Sequence, residues 1–276
     1  MIRSMFSAVS GLKGHQTMLD VIGNNIANVN TSGFKASRVL FSDMYYQTLS
    51  AASAPTPATG GTNPTQIGYG SKVASIDLLN TRSGFQQSAR ALDTYISGEG
   101  FFTVQDSAGE LNYTRVGAFS FDASGNLIDG NGSFVMGQIP TLTNPVGTLV
   151  PINIPNFQNY SGISIGPDGA ITGTNLTTMA IQTLAQIPIA VFNNPDGLEQ
   201  RGDQYFGETL NSGAPGYSEA GTALAGQLVS GGLEMSNVDL SKEFTDMIVA
   251  QRGYQANARV ITTSDQVLEE LVNLKR

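Results

Sequence analysis

The chain has 276 residues, enough for one large core or two modest ones. Charged residues make up only 13%, and 14 basic against 22 acidic side chains leave a net charge of −8. That balance excludes a basic groove for nucleic acid and a patch that docks on anionic membrane. Cysteine is absent and His15 is the single histidine. Thiolate metal sites, disulfides, thiol nucleophiles and multi-histidine metal centres are therefore excluded, and a Ser–His–Asp triad could use only His15. No stretch reaches the roughly 18 continuous apolar residues of a membrane span.

The N-terminal segment is amphipathic. Ser4, Ser7 and Ser10 break its apolar run and Lys13 and His15 follow, so the expectation is export without a cleaved signal peptide. Ile2, Met5, Val9, Leu12, Leu19 and Ile26 fall at alternating spacings of three and four, interrupted at Gln16 and Gly23. This spacing places one narrow stripe on a helix. The helix should stop in Asn28-Val-Asn-Thr-Ser-Gly33. His15 lies off the stripe and should face solvent or a neighbour.

Residues 42–72 change composition. Ala51-Ala-Ser-Ala-Pro-Thr-Pro-Ala-Thr-Gly-Gly-Thr-Asn-Pro64 has no period and no large apolar residue, which predicts a mobile linker or strap. From residue 73 the period shifts toward two. Val73–Leu78, Phe101–Val104, Leu111–Val116, Ala118–Phe121, Ser133–Met136 and Met179–Leu184 have the pattern of strands. Asp106–Gly109, Asp122–Gly125, Pro167–Gly169 and Pro195–Gly197 carry turn signals between them. The middle should be an all-β domain. The two Asp-containing turns lack the alternating ligands and distal Glu of a calcium loop. Gly98-Glu-Gly100 precedes a strand, not the helix a phosphate cradle needs. Asp203, Glu208 and Glu219 could supply a carboxylate pair for glycoside chemistry, but nothing in the sequence brings two together and Trp is absent. The expectation is no enzyme, no cofactor and no metal.

The C-terminal segment repeats the helical design. Ser236-Asn-Val-Asp239 has the form of a capping box. Leu240, Phe244, Met247, Gln251, Tyr254, Ala258, Ile261, Asp265, Leu268 and Val272 then alternate by four and three. Five proline-free heptads make a helix of roughly 50 Å. Gly253 within it should cost about 1 kcal/mol relative to Ala. The simplest partner for each terminal stripe is the other, in an antiparallel or folded-back pair. Two narrow stripes cannot cover Phe6, Met18, Val21, Ile22, Val249 and Val267 as well, so neighbouring subunits should complete the packing. Gln16, Gln251 and Asp265 would then fix register between subunits. The alternative is ordinary amphipathic helices on one globular core. The predicted class is α+β: a discontinuous, coiled-coil-like helical domain from 1–41 and 235–276, a strap at 42–72, and a β-rich domain at 73–234. The candidate assembly seam is Met5, Val9, Leu12, Leu19, Ile26, Leu240, Phe244, Met247, Gln251, Tyr254, Ile261 and Leu268.

Leu19-Asp-Val-Ile-Gly-Asn-Asn-Ile-Ala-Asn-Val-Asn-Thr-Ser-Gly-Phe-Lys35 resembles the N-terminal signature of flagellar rod and hook proteins, with Asn24, Asn25, Asn28, Gly33 and Phe34 as its motif positions. Met247-Ile-Val-Ala-Gln-Arg-Gly-Tyr-Gln-Ala-Asn257 resembles their C-terminal signature. Gly98–Val104 and Tyr113-Thr-Arg-Val-Gly-Ala-Phe119 resemble their central β motif. The resemblance implies a structural subunit exported unfolded through the flagellar type III apparatus. It implies self-assembly into a helical tube, with the terminal helices lining a channel and the β domain outside. Phe6–Leu12, Phe41–Met44, Asn237–Glu243 and Asp265–Leu274 are similar to hook subunits. The short chain and the Tyr46-Gln-Thr-Leu49 strap are similar to distal rod subunits. A hook placement implies the distal rod, the hook–filament junction proteins and the hook cap as further partners, with no nucleic acid and no membrane insertion. A secreted β-rich binding module is the rival from another class.

Overall fold

The computed structural model describes residues 2–57, 60–139, 149–222 and 225–274. Parts of the expected strap at 58–59 and of the expected β domain at 140–148 and 223–224 lie outside the described residues. The class is α+β, with one long helix from each end of the chain and a β-rich middle. The chain divides into two compact units. One holds residues 1–27, 36–79 and 238–276; the other holds 28–35 and 80–237. The division differs from the expected boundaries because the presumed strap folds with the helices.

In the first unit, α1 (Ile2–Ala27) is followed by four strands, β1 (Ser37–Asp43), β2 (Tyr46–Ser50), β3 (Thr65–Gly68) and β4 (Ser71–Leu78), and the unit closes with α2 (Leu240–Asn273). The helices run antiparallel, with Gly11 beside Asn257, His15 beside Gly253 and Asn25 beside Glu243. The contact line on α2 runs through Glu243, Gly253 and Asn257, with Ala250 fully buried. A methyl group on Gly253 would lie 2.5 Å from the His15 ring, and one on Gly11 would lie 2.8 Å from Asn257 Nδ2. Bare backbone at both points lets the helices approach closely. His15 thus departs from expectation. It is half-buried against Gly253, with its ring centroid 6.1 Å from that of Phe41. The helix cap also differs. Asp239, not Ser236, accepts from Ser241 N and Lys242 N at 2.9 and 3.4 Å, a cap of about 1 kcal/mol.

The described residues of 42–72, where the composition suggested a mobile strap, fold together with 37–41 and 73–78 into an arm. β1 pairs with β4 antiparallel, with a register shift between Leu40 and Phe41, and β2 pairs with β3. Polar cross-strand bonds take the place of an apolar face: Gln66 Nε2 to Thr48 Oγ1 at 3.1 Å, Tyr69 OH to Gln47 Oε1 at 3.0 Å, and Ser53 Oγ with Thr62 Oγ1 at 2.8 Å. Such a hairpin has no hydrophobic alternation to detect.

The second unit is built on an eight-stranded antiparallel sheet. Its path runs Glu199–Gly202, Tyr205–Gly207, Leu111–Thr114, Phe102–Gln105, Phe134–Gly137, Leu127–Ile128, Ser120–Phe121, and Val150–Pro151 pairs beside Phe134–Gly137. A three-stranded sheet, Tyr160–Ile165, Ala170–Asn175 and Ile181–Gln186, packs on it through Ile165, Ile171 and Ala185. Between them Ile96, Phe102, Val104, Phe119, Leu127, Val135, Ile152 and Ile189 are fully buried, each large side chain contributing about 2 kcal/mol through lost apolar surface. The predicted turns are present, with Gly109 N on Asp106 O and Gly125 N on Asp122 O. Asp122 accepts from Ser124 N, Asn126 N and Asn126 Nδ2, each at 2.8 Å, so its carboxylate is consumed within its own turn.

The helix crossing yields a test. In a His15→Ala background, Gly253→Ala should stabilise the helical signal by about 1 kcal/mol, the propensity difference between the two residues. In the parent chain the same change should give no gain, because the ring occupies the space. Thermal melts followed by circular dichroism read both, and equal gains would refute the contact.

Candidate functional site

The end of the N-terminal motif, Asn28–Lys35, and the central β motif meet in the second unit. After α1 ends, Asn28–Lys35 turns back, with Thr31 N on Asn28 O and Thr31 Oγ1 on Asn28 Oδ1, both at 3.1 Å. Gly33 has φ +72 and is buried, and its N–H donates to Glu234 O at 2.8 Å. A methyl here would fall 2.8 Å from Val116 Cγ2. Conformation and space both require glycine. Phe34 O accepts from Asn237 N at 3.4 Å.

Lys35 is fully buried. Its Nζ donates to Glu234 Oε1 at 2.6 Å and Thr81 O at 2.7 Å. Glu234 Oε2 faces Arg115 Nη1 at 3.4 Å, and Ser83 N donates to Oε1 at 3.3 Å. Arg115 Nη1 also donates to Gly98 O at 3.0 Å, and the guanidinium sits 5.1 Å from the Phe101 ring centroid. One buried carboxylate therefore faces two buried cations, each from a different motif. Burial pushes both Lys35 and Arg115 below their ordinary values, against the opposing pull of Glu234. Such a cluster adds little net stability over apolar packing, but removing one member strands the rest.

A cleft of about 290 Å³ lies between Phe34–Lys35 and the turn Asp203-Gln204, with Tyr205 on its wall. Both turn residues have positive φ, 48 and 63. Tyr205 OH donates to Asp129 Oδ2 and lies 3.1 Å from Ser133 Oγ, so the phenol is committed to structure. Burial raises its pKa to about 12. Among the described residues no group of three or more His, Asp or Glu could hold a metal ion.

The remaining predicted residues are in the first unit. Asn25 is buried and clasps the start of β1: its Nδ2 donates to Ser37 O at 2.8 Å and Ser37 N donates to its Oδ1 at 3.1 Å. Asn25 Nδ2 also reaches Glu243 Oε2 at 3.2 Å. Asn24 is exposed. Met5, Leu12, Leu19, Ile26, Met247, Ile261 and Leu268 are half-buried. Val9, Leu240, Phe244, Gln251 and Tyr254 are exposed, so the predicted seam splits between an inner and an outer face. Gln16 and Asp265 are exposed too. The sequence assigned no role to Lys35, Arg115 or Glu234. Lys35 and Arg115 stand inside the quoted motifs, but only the fold shows them buried.

The buried motif residues are engaged with backbone and with one another, and the long helices carry exposed apolar side chains, the features of a structural subunit. Three family models match: the flagella basal body rod protein model at 5–35, the flagellar hook protein FlgE/F/G D1 domain at 95–173, and the flagellar basal body rod FlgEFG protein C-terminal model at 229–274. The flagellar basal-body rod protein FlgG of Bacillus subtilis (strain 168) is 47% identical over 278 residues, covering 100% of both chains. In Borreliella burgdorferi, a FlgG is 36% identical over 279 residues and the flagellar hook protein FlgE is 32% identical over 442, each alignment again covering both chains completely. The chain belongs to the flagellar hook and basal-body rod family and is a structural protein of the flagellum, not an enzyme.

Two outcomes follow from the buried charges and phenols. Glu234→Gln should lower the unfolding free energy by about 3–5 kcal/mol by leaving two buried cations unpaired, and Lys35→Met in that background should restore part of it. Urea denaturation followed by tyrosine fluorescence measures both.

Alkaline pH gives the second outcome. Burial raises the Tyr113, Tyr205 and Tyr217 phenols above the ordinary value. Their contribution to stability is complete below pH about 10 and is lost as pH rises through their folded values. Lys35, lowered by burial, works in the opposite sense and is spent above its ordinary value of 10.5. The β unit should therefore lose stability progressively as pH rises above about 10.5, with late-titrating phenolate absorbance appearing as it unfolds.

Proposed function

We propose that this chain is a hook subunit, polymerising into the flexible tube that transmits torque between rod and filament. What supports assembly is the apolar outer face of α2. Phe244, Ile248, Val249, Val267 and Leu271 are 44–58% exposed along it, more apolar surface than a lone helix pair keeps in water. Neighbouring copies cover that face, and the small-residue crossing fixes the pair that presents it. Before assembly the helices are marginal, which suits passage through the flagellar export apparatus. The rod, the junction proteins and the cap are the neighbours along the axis.

The hook position is supported by Phe6–Leu12, Phe41–Met44, Asn237–Glu243 and Asp265–Leu274 and by the full-length likeness to a hook FlgE. A second reading, distal rod subunit, is favoured by the 47% identity to a FlgG of nearly equal length. The native chain has no cysteine, so Ala108→Cys on an exposed turn places one gold label per subunit. In purified hook–basal bodies, label on the curved external segment is expected. Label on the straight segment within the envelope would establish the rod reading, and label on neither would overturn both.

A further inference from the structure

Between Asp129 and Asp196 the sequence carries one charged side chain, Asp168. This segment builds the three-stranded sheet Tyr160–Ile165, Ala170–Asn175 and Ile181–Gln186, whose strands contain no Asp, Glu, Lys, Arg or His. One face packs on the core through Ile165, Ile171 and Ala185. At the turn between its last two strands, Leu176, Met179 and Ile181 are 52, 77 and 76% exposed, and Gln182 and Thr183 continue the exposed surface.

These apolar side chains are fixed outward. Asn175 N donates to Ala180 O at 3.1 Å, Met179 N to Asn175 O at 2.8 Å, Thr177 N to Asn175 Oδ1 at 2.8 Å and Leu176 N to Asn159 O at 2.9 Å. Met179 is held at φ 55, a conformation unfavourable for a residue with a side chain. The turn therefore cannot fold its apolar groups back without breaking bonds.

We propose that this charge-free sheet and its 176–181 turn form a contact face for a second copy of this chain in the assembled tube. The inference rests on the polymer reading above. Copies carrying −8 each repel, and a basic partner would be drawn to the acidic surface elsewhere. A face without charge is where like copies approach without Coulombic penalty. A contact of Leu176, Ile181, Thr, Gln and one adaptable Met, without ion pairs, holds copies together without a single fixed register.

The test uses the full chain with Met179→Cys as its sole thiol. The thiol should react quickly with a fluorescent maleimide in the monomer and at least tenfold more slowly in assembled tubes. In parallel, Ile181→Glu should leave the urea midpoint unchanged and raise the concentration needed for assembly several-fold, with high salt restoring it. Tubes in which the Met179→Cys thiol reacts as in the monomer would overturn this contact and leave the polymer reading standing. Failure of the parent chain to form tubes under any condition would overturn both.

Discussion

Lys35, Glu234 and Arg115 come from three distant parts of the chain and meet in one dry cluster. A carboxylate removed from water must be met by partners. Glu234 has two cations and a backbone N–H, so its strand can lie in only one place. Lys35 ties down the return after α1, and Arg115 holds the backbone of Gly98 in the central β motif. Gly33 adds a backbone bond to the same residue from the same turn. The β unit is thereby closed by segments that flank the two helices, although neither helix belongs to it.

The helical unit follows a different logic. Its inner face is small, with glycines at the crossing and polar Asn25, Asn257 and Glu243 beside them. Close approach maximises backbone and methylene contact at the crossing, while Ile22 is buried and other long apolar side chains are only half-buried. Phe244, Ile248 and Val249 remain exposed. In a family that builds the flagellar axis, that outward apolar surface is a consequence of how the pair packs.

Helices, β-strands and turns were legible in the sequence because each rests on local rules: spacing of apolar residues, alternation, and Asp-Gly or Pro-Asp-Gly chemistry. The seam was legible only in part. Periodicity finds the apolar stripe, whereas Gly253, Asn257 and Ala250 make the intramolecular contact, and small residues carry no periodic signal. The β2–β3 hairpin escaped because Ser, Thr and Gln hydrogen bonds hold its strands. The ion cluster escaped because nothing local distinguishes a buried lysine from a solvated one. His15 was placed outside because its position off the stripe says nothing of the ring's fit against a glycine on the other terminal helix.

Lys35 and Glu234 lie 199 positions apart. Contacts that distant demand closure of a long loop before they return any stabilisation. On a chain emerging N-terminus first, the hydrophobic sheet can begin to collapse while the last strand is still absent. The clamp can form only once Glu234 has emerged. Completion of the β unit is thus timed by the tail of the chain, so a nascent molecule stays short of its final, locked state.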